Sequence, residues 1–269
     1  MSTTVLELAN DLNTVLEDGN TVAIRSFKLG NWSWDTYVHT NCIRQDLHTE
    51  DGDIFDCIDI KSQPAFDHPL LRNHSIQMEP SSHPIGLDGN SIPDTTLIRD
   101  NGQKQCFDLK CPGFIHTSPN IPLGGKLSPI SKYDGPQAHM NTFVYQDTNS
   151  NWWVKFGRES TVVGYWPGEL FGYLKSKGTV GYWGGLVEGP TIKYKPPPMG
   201  SGHPASEGDG KAAYVKNIKI VTRDHQLVTP MSREFDVAVE NPKCYSVAHK
   251  SDQDGGVHAN WGGSGDCTL

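Results

Sequence analysis

From residue 107 onward the chain is a series of short apolar runs, each cut off by a turn cluster, and that rhythm limits what it can fold into. Strand candidates fall at 107–109, 113–116, 138–145, 152–156, 161–166, 180–188 and 212–221. Short strands at such spacing specify a mainly β protein, an antiparallel β-sandwich or barrel. The turn residues Asp147, Thr148, Asn149 and Ser150 predict a hairpin between two of the runs, and in the last run Tyr214, Ile218 and Ile220 fall on one face. A single helix interrupts the pattern: Pro167 suits a first helical position, Leu170, Phe171 and Leu174 form an apolar face, and Gly178 ends it. The 28 glycines and 18 prolines fit many tight turns, and 269 residues suffice for one all-β domain with a small appendage.

That appendage is N-terminal. Thr4, Val5, Leu6 and Glu7 have the form of a capping box, and Val5, Leu8, Leu12, Val15 and Leu16 recur at helical spacing up to Gly19, predicting an amphipathic helix. Residues 21–49 show no regular pattern. A short strand follows over 52–60, with Ile54, Asp56, Ile58 and Ile60 on one face, and then a proline-bracketed turn in which Phe66, Leu70 and Leu71 are placed to fill a groove. Residues 81–102 are polar, aperiodic and rich in Pro, Gly and Asp, and read as a linker. The organisation expected is therefore a small α/β segment over 1–80, a linker over 81–102 and a β domain over 103–269.

A net charge of −8 without any basic stripe argues against a nucleic-acid partner. Eleven histidines outweigh that charge, so full histidine protonation in acid would reverse its sign. No apolar run is long enough to span a bilayer, and residues 1–20 lack a basic start followed by an apolar core, so neither membrane nor secretory signal is visible. The six cysteines point the other way. Cys106 with Cys111 and Cys244 with Cys267 form a pattern read as disulfides of an oxidising compartment. Zinc at Cys106 and Cys111 is the second reading, although no ligand set is completed nearby, and no metal or cofactor is expected. Acceptor sequons at Asn31 and Asn73 are compatible with secretion.

The chemistry-bearing candidates gather around Gly181-Tyr182-Trp183-Gly184-Gly185-Leu186-Val187-Glu188. Upstream lies a second aromatic-glycine unit ending in Tyr165 and Trp166, and downstream the turn Met199-Gly200-Ser201-Gly202-His203. A strand over 180–188 would set Trp166, Trp183, Ser201 and His203 along one groove, with Glu188 as its carboxylate.

These residues carry a resemblance. The stretch from Gly52 to Gln77, including Gly-Asp-Ile-Phe-Asp-Cys-Ile-Asp-Ile and Gln-Pro-Ala-Phe-Asp-His-Pro-Leu-Leu-Arg-Asn-His, resembles the activation peptide of the plant neprosin family. From Cys106 to Cys267 the chain is similar to that family's catalytic domain, through Cys106-Phe107-Asp108-Leu109-Lys110-Cys111, Asn151-Trp152-Trp153, Val163-Gly164-Tyr165-Trp166-Pro167, Met199-Gly200-Ser201-Gly202-His203 and Asn241-Pro242-Lys243-Cys244-Tyr245. The resemblance implies a secreted, extracellular or vacuolar, acid-active glutamic endopeptidase that cuts after proline. It also implies a β-sandwich held inactive by its own propeptide, and a peptide or proline-rich protein as substrate. Hydrolysis without a metal or a nucleophilic side chain needs one protonated carboxyl to assist the carbonyl and one ionised carboxyl to activate water.

The family's two glutamates lie in a Glu-Ala-Gly-Trp-like strand and in a Trp-Gly-Gly-Glu strand. No Glu-Ala-Gly-Trp occurs in this sequence, and Leu186 follows Trp183-Gly184-Gly185 where the second acid is expected. The strands around the first motif are accordingly expected to be missing from the β domain. Glu188 is the fallback, but two residues along a strand is about 6.6 Å, more than catalysis tolerates. Glu159, Glu169, Glu207, Glu234 and Glu240 sit in no matching motif. The prolines Pro196, Pro197 and Pro198 replace a polar pair, and Cys57 lacks its usual partner, leaving Cys42 to pair with it or both as free thiols. The leading expectation is a catalytically impaired member of the family. Two other readings stay open at this point: an aromatic-groove binding module for cell-wall glycans or proline-rich peptides, and a defective gene model.

Overall fold

The computed structural model describes residues 21–25, 47–48, 54–85, 113–118, 121, 129–157, 160–187, 192, 194–251, 256–265 and 267. The predicted helix at the start of the chain, Cys42, Cys106, Cys111, Glu159 and Glu188 lie outside them, as do the side chains of residues 21–25, 47–48 and 54–57.

The protein is mainly β, with antiparallel sheets, and among the described residues the helices are short 3-10 turns. Its largest sheet has the strand order β4-β7-β6-β5, from β4 (Ile115–His116), β5 (Thr142–Gln146), β6 (Trp152–Phe156) and β7 (Thr161–Trp166). The predicted hairpin is present: Gln146 pairs with Trp152, and Ser150 closes the turn with φ of 66°. A bulge between Val154 and Lys155 shifts the β6–β7 register. Gly164 is required where β7 passes β4, because a Cβ there would run into the Ile115 carbonyl and the Phe114 ring.

Alternation along these strands makes two faces. One carries Phe143, Tyr145, Trp153, Tyr165 and Ile115, all essentially without exposure, with Trp153 stacked on Tyr165 at 4.4 Å between centroids. The other buries Val154 and Val163 beside Phe114 and the half-buried Trp166. A second sheet, ordered β11-β12-β8, joins β8 (Ala213–Val215), β11 (Ser246–Ser251) and β12 (Val257–Gly262) over a core of Val215, Ile218, Val257 and Ala259. β9 (Ile220–Val221) and β10 (Leu227–Val228) form a small ladder. At the N-terminal end β3 (Ile54–Asp59) pairs with β1 (Thr21–Arg25) and β2 (Leu47–His48).

Several expectations change. β1 lies in the stretch that showed no pattern. The helix after Pro167 is one 3-10 turn, Gly168–Leu170, and the chain beyond it is tied to the sheet by the carbonyls of Leu174 and Lys175, which accept from Gln146 Nε2, that of Leu174 also from Trp152 Nε1. The run 212–221 breaks into β8 and β9 at Asn217, which has φ of 56°, so Ile218 is buried in the core beneath β8 and β12 while Ile220 is exposed on the ladder. Residues 180–187 are not a strand. Gly185 lies so close to Met199 and Trp261 that a Cβ would sit 2.6 Å from each side chain, so the segment presses against Trp261 near the end of β12 without joining the ladder.

Candidate functional site

Two places carry the candidate residues, and the first is the aromatic face of the four-stranded sheet. It is covered by residues 60–85 of the same chain. Ala65 belongs to the cluster of Ile115, Phe143, Tyr145, Trp153 and Tyr165, with Phe66 and Ile76 packed against it. Gln63, 2 % exposed, uses its side-chain amide as a strand would use its backbone. Its Nε2 donates to the His116 carbonyl at 3.2 Å and to the Ile60 carbonyl at 2.7 Å, while His116 N–H donates to its Oε1 at 2.7 Å. The free edge of β4 is thereby blunted.

Further along, Asp147 is a hub. It accepts from the backbone N–H groups of Asn149 and Asn151, which build the hairpin turn, and from Trp153 Nε1 at 2.8 Å, Gln77 Nε2 at 3.0 Å and Ser81 N–H at 3.0 Å. Burial pushes its carboxyl up, but the donors of Ser81, Trp153 and Asn151 outweigh this and hold it below the usual carboxylate value. Tyr165 accepts from Gln77 N–H and meets His74 Nε2, each at 2.9 Å, and His74 Nδ1 lies 2.9 Å from Glu169. One tautomer satisfies the chain: the phenol donates to His74 Nε2 and Nδ1–H to Glu169. Burial raises the Tyr165 phenol to about 12 and keeps it a donor. His83 Nδ1 faces the Tyr145 hydroxyl at 2.9 Å and Lys155 Nζ at 3.3 Å; burial, then the Lys155 charge, lower its pKa. Ile85 closes the segment by exchanging backbone hydrogen bonds with His225 and Leu227. Residues 81–85, the start of the stretch read as a linker, are thus packed on the β domain.

The second place is the stretch around Leu186. Leu186 is 44 % exposed, whereas Val187 is buried with Cys244, Tyr245, Met199 and Cys267. Cys244 and Cys267 form a disulfide with Cα atoms 5.2 Å apart. The turn from Met199 to His203 is fixed against β12, through Met199 N–H to the Gly263 carbonyl at 2.9 Å. His203 stacks on Tyr133 at 4.2 Å and approaches Glu207 at 3.2 Å, and Tyr133 donates to Glu207 at 2.8 Å. Ser201 is exposed. The two groove tryptophans are committed to different clusters: Trp183 lies with Phe235 and the β8–β12 core, and Trp166 edge-on to Phe114 on the outer face of the larger sheet. The same-face argument for Glu188 needs a strand, and residues 180–187 provide none. Where a carboxyl shift is resolved among the described residues, at Asp147, Glu207 and Asp209, it is downward, the direction of a permanent anion and not of a general acid. Among the described residues no group of His, Cys, Asp and Glu is arranged to hold a metal ion.

Sequence reasoning did not anticipate the roles of Gln63, Gln77, His83, Tyr145 and Asp147. Their signal was weak, since a buried glutamine or a turn aspartate declares its partner only once the chain is folded.

A β domain whose main sheet is overlaid by an upstream segment of the same chain has the build of a zymogen. A sequence model described as neprosin matches residues 87–264, well over half the chain, and one described as neprosin activation peptide matches residues 46–113. The chain belongs to the neprosin family, and the overlaid segment falls within its activation peptide.

Proposed function

We propose that this chain is a neprosin-family peptidase homologue without peptidase activity, whose domain serves as a folded scaffold in an acidic secreted or vacuolar setting. The observation that carries the reading is Leu186. It stands after Trp183-Gly184-Gly185 in place of an acid, half exposed on a segment anchored by Gly185 and Val187, where a hydrocarbon side chain can neither hold nor accept a proton. The Glu-Ala-Gly-Trp motif is also absent from the sequence, so neither carboxyl of an acid pair is supplied from its family position.

Incubation of the secreted, refolded chain with a proline-containing peptide at about pH 4, where an acid pair would share one proton, tests this. No cleavage is expected. Cleavage that Glu188→Gln abolishes would overturn the proposal, with Glu188 as the working acid.

A further inference from the structure

We propose that Asn73, on the solvent side of the segment that overlays the aromatic sheet face, is an acceptor for an N-linked oligosaccharide. The proposal takes from the preceding section only the secreted or vacuolar setting, in which the chain meets the sugar donor.

The local sequence and the packing support it independently. Asn73-His74-Ser75 has the acceptor form, with no proline at its middle position. Among the described asparagines it is the one followed two residues on by a hydroxyl side chain.

Folding then sorts the triplet by side. Leu71 is without exposure, Ile76 packs on the aromatic cluster, and the His74 side chain, 9 % exposed, turns inward to Tyr165 and Glu169. Arg72, Asn73 and Ser75 face solvent. The His74 N–H donates to the Leu71 carbonyl at 3.0 Å, which closes the turn on which Asn73 stands. Among the described residues neither the Asn73 amide nor the Ser75 hydroxyl has a hydrogen-bond partner. A bulky hydrophilic substituent rooted at Asn73 therefore displaces no contact. Asn151 shows the contrast: it is buried, its Nδ2 donates to Gln77 and its Oδ1 accepts from the Gly168 N–H, so it has no room for a substituent.

In the transfer, Asn73 Nδ2 forms a bond to the anomeric carbon of an oligosaccharide carried on a lipid pyrophosphate. The anomeric carbon–oxygen bond breaks, the lipid pyrophosphate leaves, and one amide proton is released. The exposed side chains of Leu70 and Met78 flank the site, so the glycan covers apolar surface on the outer side of the segment. It also marks the segment and not the β domain: a cut that frees the segment carries the glycan away with it.

The test uses the full chain, led by a heterologous signal peptide and carrying Asn31→Gln so that a single acceptor is read, expressed in plant cells and collected from the medium. Peptide N-glycosidase A should increase its electrophoretic mobility, and peptide mass spectrometry should then find Asn73 converted to aspartate. Asn73→Gln and Ser75→Ala should each lose the shift completely, and Ser75→Thr should keep it. Because the leader supplies the route, failure here counts against Asn73 and not against the setting, which the compartment of the native protein tests separately. Folded, secreted chain with Asn73 unmodified would overturn the proposal, as would a glycan confined to misfolded chain retained in the cell. A shift that persists in both Asn73→Gln and Ser75→Ala would place the sugar elsewhere and overturn it too.

Discussion

Leu186 shows how far one residue can decide function without disturbing fold. Its side chain is 44 % exposed, and the backbone around it is set by Gly185 against Met199 and Trp261 and by Val187 in the disulfide-flanked cluster. An acid restored there would stay hydrated and displace no packing. Leu186→Glu should therefore change stability by less than about 0.5 kcal/mol, as measured by denaturant unfolding. It should also yield no peptide cleavage, because one carboxyl cannot both donate and accept the protons of amide hydrolysis. Turnover by this single variant would show that a second acid is already in place. The loss at 186 was legible in the sequence, since a motif with one altered letter points to its own gap. The fate of the neighbouring aromatics was not, because Trp166 and Trp183 carry no mark of which core each will enter.

At the scale of elements, β5, β6 and β7 were legible because alternation and turn chemistry agreed: Trp152 to Phe156 alternates between two apolar faces, and Asp147 to Ser150 suits a tight turn. β11 and β12 were not. β12 reads Val-His-Ala-Asn-Trp-Gly, and both His258 and Asn260 are buried in it, so an apolar-alternation rule finds no strand. Residues 180–187 failed in the opposite way, having strand-like residues but three glycines and close contacts that hold them off the ladder. The covering of β4 was invisible because its pairing partner is a side chain. Gln63→Ala would leave the His116 N–H and carbonyl unpaired in a fully buried setting and should cost about 2 kcal/mol of unfolding free energy. Local hydrogen exchange at the His116 amide should rise well before that of Val154. Equal acceleration at both amides would mean that Gln63 acts only through global stability.

For the whole molecule, the acid limb of stability follows from two buried groups with the same sign. His116 has essentially no exposure; Nε2 donates to the Ile121 carbonyl at 2.7 Å, Nδ1 has no partner, and burial lowers its pKa to about 4 despite the Ile121 bond. In the unfolded chain the same imidazole titrates near ~6.5, so between these values the unfolded state binds the extra proton. The stability His116 permits is full above ~6.5 and falls as pH drops toward 4, by about 3 kcal/mol at most. His83, also lowered, acts in the same direction. Asp147 takes over further down: its lowered carboxyl stabilises the folded state above the unfolded value of ~3.9, and that contribution fades as pH falls through the folded value. Together these groups place the onset of acid destabilisation on the histidines, and the loss continues at lower pH as Asp147 is protonated and the donors of Trp153, Gln77 and Ser81 lose their anion. His116→Met removes the first contribution while keeping an apolar side chain in the site. Its unfolding free energy, followed by denaturant titration from pH 7 to 4.5, should decline less than that of the native chain, by about 2 kcal/mol over the interval, whatever its absolute level. Parallel decline of the two would assign the acid limb to other groups and remove His116 from the account.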